Sequence, residues 1–360
     1  MIHWRRGEVL EILAERAGYQ EISVLTAEGR GRAVVFPDLT GPARIGDRVL
    51  LNVTAVSLGL GTGGKHFVAA IEGRVPGDPA GPGHLMKLRY TPFQLRCLTA
   101  EEQGEIPGTL DGQVVVVGEL HSQLLPAVLA LRHRLGDKAR LVYVMTDGGA
   151  LPLALSEVVA RMRSRGLLAG TVTIGHAFGG DRESLNIYAG LLAARHSLRA
   201  DVTLVMMGPG VAGTGSRYGH TGVEQAINAD AAGILGGRAV IIPRLSFADR
   251  RDRHRGVSHH TLTVCGELTQ RRGLIALPVL SGEELDTILC QLAAAGVDRR
   301  HELRLVDAAE VMGLLSACGL PARTMGRSPA QDPAFFLAAA AAGFAAAELH
   351  AMGPPASLPD

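Results

Sequence analysis

The first part of the chain, up to about residue 73, alternates hydrophobic and polar positions over short segments separated by Gly, Pro and Asp. Ile22, Val24 and Thr26 fall on one face of such a segment, because successive side chains of a strand point to opposite sides. The pattern predicts five strands, over residues 8–14, 21–27, 31–36, 48–57 and 66–72. Short strands in this number favour a small β-barrel, since closure removes exposed edges.

From about residue 112 the pattern changes to continuous apolar runs separated by helical segments. Runs of this kind are typical of strands covered by helices on both faces, and they span residues 114–117, 141–145, 171–174, 202–206, 239–242, 274–277 and 303–306. Three capping boxes mark helix starts, at Thr221–Glu224, Ser281–Glu284 and Asp307–Glu310, and Asp181 and Ser258 are further caps. We predict an α/β fold with a doubly wound, mostly parallel, Rossmann-like sheet, which follows the barrel along the chain.

A stretch rich in Pro and Gly divides these two regions. We predict a barrel domain over 1–75, a linker over 76–84 and an α/β domain over 85–353. The alanine-rich run 333–347 is shorter than the roughly 20 apolar residues of a membrane span. It is therefore predicted to be a core helix, with Asp332 as N-cap and Pro333 as its first residue.

Composition narrows the classes of partner. Hydrophobic residues make up 47% of the 360, and 36 Lys and Arg balance 35 Asp and Glu. These values exclude overall disorder and argue against a nucleic-acid or membrane-surface binder. Four distant cysteines without a C-x-x-C pair, and no apparent signal peptide, favour a cytoplasmic location. A homo-oligomer stays open.

Candidate chemistry follows the ends of the predicted strands, where parallel sheets bind their ligands. Histidine and aspartate are acid/base groups, and the catalytic candidates are His121, Asp147, His176 and His220. A divalent metal is one candidate cofactor, with His254, His259 and His260 as its ligands, although their spacing matches no known motif. Oxygen ligands could come from Asp147, Asp181, Asp249 and Asp252.

Glycine-rich loops are the second candidate feature. Gly208, Gly210 and Gly213 fit the G-x-G-x-x-G spacing after an apolar run, which suits a phosphate or another anion. The loop runs on to Thr221, and the acid expected further along would be Asp230 inside a predicted helix, so a nucleotide cofactor fits less well. The other ligand-binding candidates are Gly148, Gly149, Thr214, Gly215, Ser216 and Arg244. The alternative is a purely structural loop.

A basic run, residues 250–255, has two interpretations. It is either a solvated loop balanced by Asp249 and Asp252, or an arginine clamp for a carboxylate or phosphate.

Several short motifs together resemble a bacterial family known only as a domain of unknown function. They are His121-Ser122, Thr146-Asp147-Gly148-Gly149, Gly175-His176, Gly208-Pro209-Gly210, His220-Thr221-Gly222, Ser258-His259-His260 and Thr324-Met325-Gly326-Arg327. The resemblance covers most of the chain and supplies no activity and no catalytic residue.

Three functions stay open at this point. The first is an enzyme acting on a small anionic metabolite, phosphorylated or nucleotide-like, and the second is a ligand-sensing or partner-binding protein without catalysis. The third is a metal-dependent hydrolase that uses the histidine cluster. We further expect one cleft to collect Asp147, Gly148, His176, the loop 208–216 and one or more of His220, His259 and His260.

Overall fold

A computed structural model describes residues 1–61, 63–75 and 82–354. The chain forms two compact units, Met1–Cys97 and Leu98–Asp360. Most of the predicted linker, residues 76–81, lies outside the described residues, so the predicted domain boundaries stay a prediction.

The first unit contains a closed five-stranded barrel, in the order β1-β2-β3-β5-β4, which confirms the predicted barrel. Its strands are β1 (Trp4–Arg16), β2 (Tyr19–Thr26), β3 (Gly29–Val35), β4 (Arg48–Asn52) and β5 (Lys65–Ile71), with short helices α1 (Pro37–Thr40) and α2 (Thr54–Ser57). Ile22 and Val24 are fully buried inside it. The strand predicted over 48–57 is wrong beyond Asn52, because the Asn52 side chain accepts a hydrogen bond from Thr54 N and α2 begins there. An antiparallel pair, β6 (Leu85–Lys87) and β7 (Leu95–Cys97), follows.

The second unit is built on an eight-stranded parallel sheet, which confirms the predicted fold class. Its strands, in chain order, are β8 (Val114–Val117), β9 (Leu141–Thr146), β10 (Gly170–Thr173), β11 (Arg182–Glu183), β12 (Val202–Met207), β13 (Arg238–Ile241), β16 (Leu274–Pro278) and β17 (Glu302–Val306). In space the order is β11-β10-β9-β12-β8-β13-β16-β17. A small antiparallel pair, β14 (Leu245–Ser246) and β15 (Gly256–Val257), lies outside the sheet.

Helices cover both faces of this sheet. They are α3 (Leu124–Leu135), α4 (Glu157–Ser164), α5 (Ile187–Leu192), α6 (Glu224–Ile234), α7 (His259–Thr263), α8 (Gly282–Ala294), α9 (Val297–Arg300), α10 (Glu310–Cys318) and α11 (Pro333–Ala351). One buried apolar cluster joins the sheet to α3, α4, α10 and most of α11. A second cluster joins the opposite face to α5, α6, α8 and α9.

The segment that follows β8 runs to a helix on one face of the sheet, and the segments that follow its neighbours β12 and β13 run to helices on the opposite face. β8 lies between β12 and β13, and it leads to α3 in the first cluster. β12 leads to α6, which packs in the second cluster, and β13 leads to α7 beside the same cluster. Such reversals open a crevice at the carboxyl ends of the strands. The loops after β8, β12 and β13 therefore meet at this crevice.

Several predicted helix starts need correction. A 3-10 turn over Thr221–Val223, with His220 as its N-cap, leads directly into α6 at Glu224. The Glu224 carboxylate accepts a hydrogen bond from the Thr146 hydroxyl. α10 begins at Glu310, three residues after the predicted cap Asp307, whose carboxylate accepts a hydrogen bond from Ala309 N at 3.0 Å. α8 does start after Ser281, whose hydroxyl contacts Glu284 Oε2 at 3.0 Å.

Two further predicted caps have different outcomes. Asp181 caps no helix, since its carboxylate accepts hydrogen bonds from the backbone and hydroxyl of Thr171, and Asn186 caps α5. Ser258 is confirmed as the N-cap of α7, where its hydroxyl accepts from His260 N.

The C-terminal helix α11 is longer than its alanine-rich run. It begins at Pro333 after Asp332, as predicted, and continues to Ala351. Its 19 residues are long and apolar enough to cross a membrane, so the argument from length is wrong. Within the protein, however, 72% of its apolar window is buried, and α11 packs on α3 and β16. It is a core helix of the second unit.

Candidate functional site

A buried charged group lies where the loops after β8 and β13 meet. Glu119, two residues beyond β8, is almost fully buried, and its Oε1 lies 2.5 Å from Nδ1 of His260. Nη1 of Arg244, after β13, donates to the same oxygen at 3.3 Å. A carboxylate can only accept, so it holds the proton of His260 on Nδ1. Nε2 of His260 is then the ring nitrogen left to face a ligand.

Three further histidines surround His260. The His220 ring stacks on the His260 ring at 3.5 Å between centroids, and the His259 centroid lies 4.4 Å from that of His260. His254 stands 5.1 Å from His260, and its Nδ1 lies 2.8 Å from the Ser258 hydroxyl. The loop after β12 supplies His220, whereas the segment after β13 supplies the other three. We call these four side chains the histidine cluster.

Several polar atoms of this region are buried without a hydrogen-bond partner. They are Nε2 of His259, both ring nitrogens of His220, and Oε2 of Glu119. Unpaired buried polar atoms are rare in folded proteins and require an explanation. One explanation is a bound ligand that these atoms would contact.

Burial favours the neutral form of two members of the histidine cluster, His254 and His259. Burial lowers the pKa of His254 to about 3, and the charges of Arg244 and Arg251 add to the effect. Burial, followed by the neighbouring His260 and His220, lowers the pKa of His259 to about 4. Neutral imidazole is the form that binds metals.

Glu119 is held in its charged form. Burial alone would raise the pKa of its carboxyl group, but the hydrogen bond with His260 and the charge of Arg244 outweigh burial. The pKa of Glu119 is therefore lower than usual. Its charge balances the buried guanidinium of Arg244.

The histidine cluster opens into a cavity of about 180 Å³, called here the histidine cavity. Its lining consists of Val211, Ala212, Gly213, Gly215, Arg244, Arg251, Arg253, His254, His259, His260 and Met325. Of its three arginines, Arg244 and Arg251 are paired with Glu119 and Asp249, and the remaining positive charge of Arg253 suits an anion.

Two sets of donor atoms in this region could hold a metal ion. One atom from each of His254, His259 and His260 lies within 4.8 Å of the others, and the same is true of Glu119, His220 and His260. The first set contains only imidazoles and lines the histidine cavity. Three imidazoles with an open side are typical ligands of a catalytic zinc ion.

The predicted catalytic residue His121 lies elsewhere. Its Nδ1 is 3.2 Å from the Tyr143 hydroxyl, and its Nε2 is 2.7 Å from the hydroxyl of Ser156, the N-cap of α4. Burial lowers the pKa of His121 to about 4. Both nitrogens are therefore occupied by structural partners.

Asp147 and His176 form a separate group. Oδ2 of Asp147 accepts a hydrogen bond from His176 N at 3.0 Å, and Glu224 lies close by against Thr146 and Gly148. Among the described residues, the lining of the histidine cavity includes neither Asp147 nor His176. A single cleft that also collects Asp147 and His176 stays a prediction.

The glycines of these loops allow close packing. A Cβ atom on Gly149 would lie 2.4 Å from Gly208 O, and one on Gly148 would lie 2.3 Å from the Glu224 carboxylate. Neither position can hold a side chain without a shift. Gly210 is exposed, with open space around it.

The glycine-rich loop after β12 is closed by its own hydrogen bonds. Thr214 N donates to Gly219 O at 2.7 Å, and the Ser216 hydroxyl contacts both Thr214 Oγ1 and Gly219 N. The amides of Thr214 and Gly219 are thus used inside the loop, whereas an anion site at Gly208, Gly210 and Gly213 stays a prediction. Gly213 and Gly215 line the histidine cavity.

Sequence reasoning missed Glu119 and Glu224. The sequence did place Glu119 in a position typical of ligand-binding residues, because it lies just after the predicted strand 114–117 and two residues before the candidate His121. Glu224 matched a capping box, which hid its contact with Thr146. Arg251 and Arg253 belong to the basic run and line the histidine cavity. Asp249 does not join the donor set, since it bonds Arg251.

Comparisons with known proteins complete the description of the site. A search of the curated proteins finds no match. A family model matches residues 32–343, which include the histidine cluster, Glu119 and Arg244. The expected resemblance to an uncharacterised family is confirmed, and the chain belongs to the family described as "Protein of unknown function (DUF3866)".

Proposed function

We propose that this protein is a metal-dependent hydrolase of a small anionic ester. The observation that carries the proposal is the presence of three imidazoles, from His254, His259 and His260, in one arginine-lined cavity. Zinc is the favoured metal, because it prefers neutral nitrogen ligands in a tetrahedral arrangement. Around such an ion the three nitrogens would stand about 3.3 Å apart. One donor atom from each of the three residues already lies within 4.8 Å of the others.

In two of the three imidazoles, the ring nitrogen that would not bind the metal contacts a side chain that orients the ring. Glu119 fixes the proton of His260 on Nδ1, and the Ser258 hydroxyl lies against Nδ1 of His254. A metal-binding histidine usually has such a partner on its other nitrogen, which sets its tautomer and orientation. Nε2 of His259, buried without a partner, is the third donor.

The same cavity can hold the substrate. Arg251 and Arg253 supply positive charge for a phosphate or carboxylate group. A zinc-bound water has a pKa near 7 and is a nucleophile at neutral pH. With such an ion held by the three imidazoles, hydrolysis would consume one water, whose hydroxide goes to the phosphorus or acyl carbon and whose proton goes to the departing ester oxygen, so that an acid and an alcohol are released.

The test combines metal analysis with turnover. Protein stripped by a chelator is reloaded with zinc and assayed on phosphate monoesters, phosphate diesters and carboxylate esters. We expect one zinc per chain, and loss of both zinc and hydrolysis in His259→Ala. The control His133→Ala changes a histidine of α3 that pairs with Glu310 and should retain both.

Two results would contradict the proposal. One is equal zinc content in wild type and His259→Ala. The other is tight binding of an anion with no hydrolysis of any ester class, which would instead favour a ligand-sensing protein.

A further inference from the structure

We infer that the substrate carries a second anionic group, which binds an arginine-lined cavity next to the histidine cavity. This inference rests on the proposed function and extends it from a single anionic group to a molecule with two. The second cavity measures about 480 Å³ and is lined by Ala248, Asp249, Arg250, Arg251, Met325, Arg327 and Gln331. We call it the arginine cavity.

The two cavities share a wall. Arg251 and Met325 line both of them. A molecule with one anionic group at the histidine cluster can therefore extend past Arg251 into the arginine cavity. The larger volume of the arginine cavity leaves room for a phosphate or carboxylate together with its spacer.

The arginine cavity is held in place by buried carboxylates. Both oxygens of Asp249 accept from Arg251, at 2.9 Å from Nε and 2.8 Å from Nη2. Arg327 Nε donates to Asp332 at 2.9 Å, and the Ser246 hydroxyl bonds the same carboxylate. The Asp249 and Asp332 side chains are only 3% and 1% exposed. Guanidinium groups fixed in this way lose little freedom when they bind a ligand.

Positive charge exceeds negative charge in this region. Arg251 and Arg327 are balanced by Asp249 and Asp332, and Arg327 also approaches Asp249 at 3.6 Å. Arg250 lines the arginine cavity and forms no ion pair with any described residue. The hydrogen bonds from Arg251 hold the pKa of Asp249 well below its usual range, so the Asp249 carboxylate stays charged beside Arg251 at moderate pH. An anion is the ligand that this surplus charge would attract.

The test compares anions with one and two charged groups. Calorimetric titration of the zinc-loaded full chain uses methylphosphonate and bisphosphonates with spacers of increasing length. We expect one spacer length to bind at least about tenfold tighter than methylphosphonate, because the second group adds contacts without a second association cost. Arg250→Gln should remove most of this preference and leave methylphosphonate binding unchanged.

A second variant and a control make the test robust. Arg327→Gln should act like Arg250→Gln, whereas Arg255→Gln, an exposed arginine outside both linings, should retain the preference. No bisphosphonate preference at any length, or a preference unchanged in both variants, would overturn the inference. Zinc content measured in the same samples separates the two proposals. Zinc binding without the preference contradicts only the second anion site, and the preference without zinc contradicts only the metal centre.

Discussion

His121 and His259 lie in the same parallel-sheet unit and look alike by two common criteria. Burial lowers the pKa of each to about 4. Their hydrogen bonds, however, differ. Both nitrogens of His121 have partners in Tyr143 and Ser156, whereas Nε2 of His259 is buried with none. A lowered histidine pKa thus reports burial, and only the unpaired atom indicates a place for a ligand.

The difference arises from what surrounds each ring. His121 packs between β9 and the start of α4, where a tyrosine and a capping serine satisfy it. His259 faces other imidazoles and the histidine cavity. The first arrangement stabilises the fold, and the second leaves donor atoms available.

Removing two of the three proposed zinc ligands should give the largest change in zinc affinity. In the double variant His254→Ala/His259→Ala, zinc affinity should fall by more than about a thousandfold, since one imidazole remains of three. Competition with a zinc-binding dye measures the change, and circular dichroism checks that the variant is folded. Affinity within threefold of wild type would contradict the assigned ligands.

Glu119→Gln should have the next largest effect. The amide cannot hold His260 by charge, and loss of such a partner typically lowers metal affinity by about 10–100-fold. The buried Arg244 also loses its counter-charge, so the free energy of unfolding should fall. Zinc affinity is measured at a temperature where the variant is folded. An unchanged affinity there would show that Glu119 does not orient a ligand.

His121→Phe should separate the two histidines most clearly. It removes the partner of Tyr143 and of the Ser156 cap, so the free energy of unfolding should fall by about 1–3 kcal/mol. Zinc content should stay at the wild-type value. Urea unfolding and metal analysis measure the two quantities. Loss of zinc from folded protein would place His121 in the site.

The smallest expected effect concerns Glu224. Burial first, and then the charge of Asp147, raise the pKa of Glu224 from 4.5 to about 7, although the hydrogen bond with Thr146 opposes them. The folded state keeps this proton to a higher pH than the unfolded state, so the stability it contributes is lost as pH rises from about 4.5 to about 7.

Glu224→Gln removes this titration. Relative to wild type, the variant should gain about 1 kcal/mol in free energy of unfolding between pH 5 and pH 8, allowing for partial exposure. Urea unfolding at both pH values measures it, and Glu348→Gln on the exposed side of α11 is the control. A difference that does not vary with pH would show that the Glu224 carboxyl group titrates normally.

Much of the fold could be predicted because the spacing of hydrophobic residues within a short segment indicates whether it forms a strand or a helix. Continuous apolar runs such as Val114–Val117 indicate buried parallel strands wherever they occur. β11 was missed because it has two residues, both charged. The segment after Asn52 was missed because one side-chain hydrogen bond decides where the strand ends.

Less of the site could be predicted, because it depends on the order of strands. His254, His259 and His260 are close in sequence and were selected together. Their partner Glu119 is 141 positions from His260, and it reaches the ring only because β8 pairs with β13. The same order leaves Asp147 and His176 in another group. Patterns within short segments of sequence do not predict the order of strands in the sheet, and this order decides which loops become neighbours.

The measurement that tests the metal centre most directly is X-ray absorption at the zinc edge of the reconstituted protein. The account predicts three imidazole nitrogens at about 2.0 Å and one oxygen ligand from water. His259→Ala, which should not retain zinc, should give no zinc-edge signal after the same reconstitution. Sulfur ligands, or a spectrum with fewer than two imidazoles in the wild type, would contradict the assignment of His254, His259 and His260 as a zinc site.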